Sequence, residues 1–187
     1  MSSLSFIAPP APAEPVVFGE AILWAGDLVA DAGPVRMSTV LGSCVSVCLY
    51  DPVRHCGGMN HYLVPRGGTA LIHGDFATTR LIERLQQFGC KVRSLQAKVF
   101  GGGTPLRLAN ESFAVGIGNV AVAREVLGAH GISIVAERVG HGAGVRLFFE
   151  NWTGIVWLRA HESKEQPPAA PAPTMRPRPR ALTEISP

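Results

Sequence analysis

Cys44-Val45-Ser46-Val47-Cys48-Leu49-Tyr50 alternates apolar Val45, Val47 and Leu49 with Cys44, Ser46, Cys48 and Tyr50. A period of two is the pattern of a strand with one face turned to a core. Asp51-Pro52-Val53-Arg54 follows as a turn, and Gly57–Val64 reads as a second strand, so the two form a hairpin or a close antiparallel pair. Further along, Asp75 is placed to cap a helix in which Leu81, Leu85 and Phe88 share a face, and Gly89 stops it. Val92–Phe100 reads as a strand ending in Gly101-Gly102-Gly103. Asn119–His130 reads as a second helix with Val120, Ala123 and Leu127 on one side and Gly131 as its stop. Ile132–Glu137 alternates as a strand, and Leu147–Glu150 and Ile155–Arg159 flank Asn151-Trp152-Thr153-Gly154, a hairpin signal. Several strands, helix, strand, helix, several strands is the order of an α+β domain with both helices on one side of the strands. With so many strands and only two main helices, part of the sheet surface is expected to pack against another sheet.

The prolines bound that domain. Of 15, four fall in residues 1–15 and seven in residues 163–187, whereas all 21 glycines lie between the tails. Residues 16–162 are therefore expected to fold as one domain. The Pro-rich N-terminal tail and the Pro/Arg-rich C-terminal tail carry too little apolar surface to order themselves. The chain has 187 residues and is 47% apolar, enough to bury a substantial core. A net charge of +3 is too small to mark a nucleic-acid-binding body, so no nucleic-acid partner is expected. No apolar run approaches the roughly 20 residues of a membrane span, and the N-terminus lacks the basic and apolar regions of a secretory signal. Four cysteines are too sparse for a disulfide scaffold, which suits free thiols in a reducing cytoplasm.

The densest chemistry is Ser38-Thr39-Val40-Leu41-Gly42-Ser43-Cys44, followed by Gly57-Gly58-Met59-Asn60-His61. Gly42 allows a tight backbone approach beside Cys44, where amides of Ser43 and Cys44 can point at a carbonyl oxygen. A thiol at a strand mouth with a histidine on the next strand can form a thiolate–imidazolium pair, with a lowered Cys pKa and a nucleophile for acyl transfer. The bland alternative is a buried core thiol. Metal binding fits poorly. Cys44 and Cys48 lie roughly 13 Å apart on an extended strand, too far to share a zinc with bonds of about 2.3 Å. The same separation rules out a disulfide between them. Gly101-Gly102-Gly103-Thr104 lacks the Gly-Lys-Ser/Thr ending of a phosphate loop and reads as a backbone turn.

Three separated motifs, Leu41-Gly-Ser-Cys-Val-Ser-Val-Cys-Leu-Tyr-Asp51, Gly57-Gly-Met-Asn-His-Tyr-Leu-Val-Pro65 and Ala97-Lys-Val-Phe-Gly-Gly-Gly103, strongly resemble CheD, the bacterial chemoreceptor glutamine deamidases. Gly74-Asp-Phe-Ala77, Ile117-Gly-Asn-Val120 and Thr153-Gly154 extend the match from about Gly19 to Arg159. The resemblance implies a three-layer α/β/β sandwich of the cysteine-hydrolase type, shared in outline with toxin deamidases. It implies hydrolysis of receptor glutamines to glutamates with loss of ammonia, in the cytoplasm, with no metal or organic cofactor. It places the nucleophile on Cys44 and the general base on His61; from the residues themselves, Gly42 and Ser43 are expected to support the oxyanion. The third site position is a threonine in the family and falls here on Ser38, which keeps the hydroxyl but loses the methyl. Thr39 is adjacent and, on an extended segment, faces the other way; Ser38 is the preferred reading. The implied partners are the cytoplasmic domains of chemoreceptors and, in some relatives, a CheC-type phosphatase. That second partner opens an alternative, a non-catalytic adaptor acting by contact.

Overall fold

The computed structural model describes residues 16–103, 111–142 and 144–160. The tails expected at residues 1–15 and 163–187 lie outside these. The chain is a mixed α+β protein, mostly strands with two helices. Its elements are β1 (Gly19–Ile22), β2 (Leu28–Asp31), β3 (Val35–Leu41), β4 (Val45–Asp51), β5 (Cys56–Asn60), α1 (Gly74–Gln87), β6 (Gln96–Gly101), α2 (Glu111–Ala129), β7 (Ser133–Val139), β8 (Val145–Glu150) and β9 (Val156–Ala160). The strands form two sheets, one ordered β1-β3-β8-β9 and the other β2-β5-β4-β6-β7.

The alternation that opens the sequence reading sorts β4 between two cores. Val45, Val47 and Leu49 pack with Leu81, Leu85, Ala123 and Leu127 of the helices. Cys48, with Cys44 and Tyr50 beside it, joins Met37, Leu41, Leu147 and Phe149 of the other sheet. Each β4 residue therefore serves one core or the other, as a pleat requires when both faces are covered. Strand β3 is sorted in the same way. Met37, Thr39 and Leu41 are buried, whereas Val40 is exposed. Register carries this across the sheet, pairing Met37 with Phe149, Thr39 with Leu147 and Leu41 with Val145.

Several boundaries differ from the sequence reading. The first three strands were not legible as such. The second strand of the opening pair stops at Asn60, and residues 92–94 form a 3-10 turn ahead of β6. Asp75 does not cap α1; the N-cap is His73, without a side-chain bond, and Asp75 sits inside the first turn. The hairpin at Asn151–Gly154 forms as read, with Gly154 at φ 73°.

The largest difference is α2, which begins eight residues before Asn119. Gly116 and Gly118 discourage a helix reading there, since an interior glycine costs about 1 kcal/mol against alanine. Here they permit close packing. A Cβ at Gly116 would lie 2.8 Å from the Gly102 carbonyl oxygen, and one at Gly118 would meet the Pro65 ring at the same distance. Gly116→Ala is therefore expected to destabilise the protein by about 1–3 kcal/mol, against the stabilisation that alanine normally brings to a helix. A lower urea midpoint with an unchanged slope is the expected result.

Candidate active site

The antiparallel pairing of β4 with β5 sets Cys48 opposite Met59, and a bridge beyond β5 sets Val45 opposite Tyr62 in the same register. That register brings Ser46 opposite His61 and makes Cys44 its diagonal neighbour, a spacing of about 7 Å that side chains can close. Between those pairs the ladder opens. Asn60 Oδ1 accepts the Val47 amide at 2.8 Å, and Ser46 Oγ donates to the Asn60 carbonyl at 2.6 Å. The opening leaves His61 outside the regular strand while its backbone stays pinned, donating to Asp27 O at 2.9 Å and accepting from Gly26 N at 2.7 Å.

The His61 ring reaches across to the other sheet. Its Nδ1 lies 2.8 Å from Thr39 Oγ1, and that hydroxyl donates to the Leu23 carbonyl at 2.8 Å. Thr39 has one hydroxyl proton. With it committed to a carbonyl that can only accept, Oγ1 must accept from Nδ1–H. The neutral ring therefore carries its proton on Nδ1 and its lone pair on Nε2, which is buried and has no partner. This is the tautomer a general base needs.

Ser38, the preferred third residue from sequence, does not take this role. It is the neighbour of Thr39 on β3, so the pleat turns its side chain to the opposite face. The signal was present in the sequence. Val35, Met37 and Leu41 mark the odd positions as inward, and Thr39 shares their parity.

Cys44 opens β4, with its side chain against the inter-sheet core. Its Sγ is 3.4 Å from the Gly42 amide and 4.0 Å from the Val40 carbonyl, and no hydrogen bond joins it to His61. Burial pushes the Cys44 thiol up, against a smaller opposing effect of the Gly42 amide. Burial also pulls His61 down, against smaller upward effects of the Leu23 carbonyl and Asp27. Both shifts run against the expected thiolate–imidazolium pair. Desolvation disfavours both charges and outweighs the local hydrogen bonds.

The turn that carries Cys44 is held from behind. Gly102 N donates to Cys44 O at 2.8 Å and Gly103 N to Gly42 O at 2.7 Å. The first two glycines of the triplet, at φ 104° and 63°, take backbone conformations that side chains resist. Asn119 of α2 completes the clamp, its Nδ2 donating to Ser43 O at 3.0 Å and Leu63 O at 2.8 Å. With their carbonyls engaged, the Ser43 and Cys44 amides donate to no backbone carbonyl among the described residues. They are the pair suited to an oxyanion. Ile22, Leu23, Trp24, Ser38, Thr39, Val40, His61 and Arg146 enclose a depression of about 240 Å³, which Cys44 does not line.

A family model described as CheD chemotactic sensory transduction matches residues 66–160. A probable chemoreceptor glutamine deamidase CheD of Rhodospirillum rubrum is 42% identical over 141 residues, covering 74% of this chain and 80% of the relative. A protein of the same name from Sulfurimonas denitrificans is 38% identical over 137 residues, covering 71% and 88%. The chain belongs to the CheD family. The CheD match includes the glycine triplet and Asn119, the two supports of the Cys44 turn, whereas Thr39, Cys44 and His61 precede the matched residues. Among solved structures, a hypothetical protein YfiH of Bacillus licheniformis aligns at TM-score 0.39 and 17% identity over 58% of this chain and 51% of its own.

Sequence reasoning weighed Thr39 but preferred Ser38, and it missed Asn119 as a support of the Cys44 turn. For Asn119 the only signal was a polar residue amid Val115–Val122, where it was read as the start of a helix. The tautomer is directly measurable. Nitrogen-15 spectra of the histidines should show His61 protonated at Nδ1 when neutral and titrating below the ordinary imidazole value of about 6.5. Thr39→Val should remove the preference for Nδ1 and Ser38→Ala should leave it intact.

Proposed function

We propose that this chain hydrolyses glutamine side chains of chemoreceptors to glutamate, with Cys44 as nucleophile, His61 as general base and Thr39 as the group that orients it. What carries the proposal is the His61 ring. Its Nδ1–H donates to Thr39 Oγ1 and its Nε2 is left unpartnered, on a residue that the register makes the diagonal neighbour of Cys44. CheD membership supplies the substrate class, since the relatives are named for chemoreceptor glutamine deamidation. The reading extends to a single domain over residues 16–162, working in the cytoplasm. Helices, five-stranded sheet and four-stranded sheet are read as the successive layers of an α/β/β sandwich, supported by one apolar cluster on each face of the middle sheet.

The chemistry runs from neutral partners. As Sγ attacks the carboxamide carbon, its proton passes to His61 Nε2, and the oxyanion forms against the Ser43 and Cys44 amides. The C–N bond then breaks, the imidazolium returns the proton to the departing nitrogen, and ammonia leaves a thioester on Cys44. Water attacks the thioester, giving a proton to Nε2; the C–S bond breaks, and the thiolate recovers that proton from the ring. The sum is amide plus water to carboxylic acid plus ammonia. Because burial raises the thiol and lowers the imidazole, proton transfer accompanies attack instead of preceding it. The Nδ1–H bond to Thr39 keeps the ring oriented while charge develops on it.

The test is ammonia release with mass spectrometry of receptor cytoplasmic fragments. Cys44→Ala and His61→Ala should each abolish amide-to-acid conversion, because nucleophile and base act as one unit. Thr39→Val should cost about 1–3 kcal/mol of transition-state stabilisation, or about 5- to 150-fold in rate, whereas Ser38→Ala stays close to wild type. A fragment bound by wild type but never deamidated would assign the protein to the adaptor role instead.

The acid limb of kcat/KM has a predictable position. The base must be neutral, and burial extends its neutral range downward, so activity should persist below about pH 6.5 before falling. A limb above that value would mean that a charged partner raises His61 and would contradict the site as described.

A further inference from the structure

The outer face of the four-stranded sheet is ordered by register into three cross-strand rows. Glu20 pairs with Arg36 and Arg36 with Glu150 in the first. Ile22, Ser38, Phe148 and Trp157 make the second. Val40, Arg146 and Arg159 make the third, at the end of the sheet from which the chain turns toward Cys44. The first row is internally neutralised, with Arg36 Nη2 2.9 Å from Glu150 Oε1. The third is not. Arg146 and Arg159 stand directly opposite each other across β8 and β9, and among the described residues neither lies within 4.0 Å of a carboxylate.

Like charges directly opposed across a sheet are destabilising. Nothing in the fold gains from this pair, for both side chains point outward and both residues are exposed. The pair is also continuous with the site, since Arg146 is a wall of the depression that contains His61. Beside it the face is apolar, with Ile22 69%, Trp24 75% and Trp157 43% exposed, and Arg159 lies 5.8 Å from the Phe148 ring centroid. Two unneutralised guanidinium groups next to exposed aromatic surface match a polypeptide that presents carboxylates together with apolar side chains.

We propose that this face docks the substrate segment flanking the target glutamine, with Arg146 and Arg159 reading acidic side chains of that segment. The proposal rests on the deamidase reading for its choice of occupant. Arg146, at the pocket wall, takes a carboxylate close in sequence to the glutamine. Arg159, one strand further out, takes one more distant, while Trp157 and Trp24 cover apolar side chains between and beside them. The arginines thus select acidic surroundings of the glutamine and take no part in bond breaking.

The full chain and a fluorescently labelled receptor cytoplasmic fragment test this by anisotropy, with ammonia release measured in parallel. Arg159→Glu and the double variant Arg146→Glu/Arg159→Glu should weaken binding by about tenfold or more, since reversing a charge turns attraction into repulsion. Arg159→Lys should retain most of the affinity. Wild-type binding should weaken steeply with added salt, and KM should rise for Arg159→Glu with little change in kcat. A double variant that keeps its urea midpoint and binds as well as wild type would overturn the proposal. If that variant fails to fold, salt-independent binding by wild type would overturn it equally. A dimer in sedimentation that the Arg159 change dissociates would give the face to a second copy and likewise end it. Binding that obeys these expectations without any ammonia release would sink the deamidase reading and leave the docking face standing, so the two failures are separable.

Discussion

One hydrogen bond between the two sheets, from His61 Nδ1–H to Thr39 Oγ1, decides what the site can do. Without it the imidazole would be free to protonate at either nitrogen, and a buried ring has no water to settle the matter. The bond works because Thr39 is itself committed to the Leu23 carbonyl. A chain of three groups, carbonyl, hydroxyl and imidazole, thereby passes a fixed polarity from the backbone to Nε2. The register of both sheets is a condition for it. A one-residue slip of β3 against β8 would put Val40 or Ser38 where Thr39 stands and would expose the buried row of Met37 and Leu41. The apolar cores that hold the sheets in register therefore also hold the tautomer.

The proposed nucleophile, Cys44, is held in place by backbone contacts and not by charge. The Cys44 turn is tied to the glycine triplet through two amide-to-carbonyl bonds and to α2 through Asn119. The triplet in turn fits under α2 because Gly116 has no Cβ. Each contact consumes a carbonyl of the turn and leaves an amide, so the turn presents donors outward. The proposed oxyanion site would then be a by-product of packing a glycine-rich loop against a helix. Its cost is two helix-interior glycines, which explains why α2 is so hard to recognise in its first turns. The raised thiol fits the same logic. A thiol is less exposed to oxidants than a thiolate.

Much of this was legible in the residues. The β4 alternation, the closing hairpin and the late strands follow from period and turn chemistry, and the Cys44–His61 pair stands out because few chemically active side chains interrupt an apolar region. What was not legible has physical causes. Strands β1 to β3 are short or carry polar residues on an exposed face, so no long apolar run announces them. The first turns of α2 contain glycines that are explained only by Gly102 and Pro65, far away in sequence. The choice between Ser38 and Thr39 is a question of parity. Sequence distance from Cys44 says nothing of it, because the Gly42–Ser43 turn lies between and breaks the count. Parity had to be read within β3 itself, from Val35, Met37 and Leu41. Charge state was the least accessible quantity of all. A Cys–His pair suggests an ion pair, but the sign of both pKa shifts depends on how much water the two sheets exclude.

Strand β3 shows how such a small domain combines tasks. Its odd positions fill the inter-sheet core and include the hydroxyl that orients the base. Its even positions, Arg36, Ser38 and Val40, form part of the outer face between the charged row and the arginine row. In the proposed reading the depression lined by Trp24, Val40, Arg146 and His61 is the passage from that outer face to the site. A substrate lying on the outer face would have to send only one long, flexible side chain through that passage to meet His61. Glutamine has the reach and the polarity for this, with a terminal amide to engage the donors of the Cys44 turn and two methylenes to line an apolar neck. A shorter asparagine would hold its carbonyl back by one methylene.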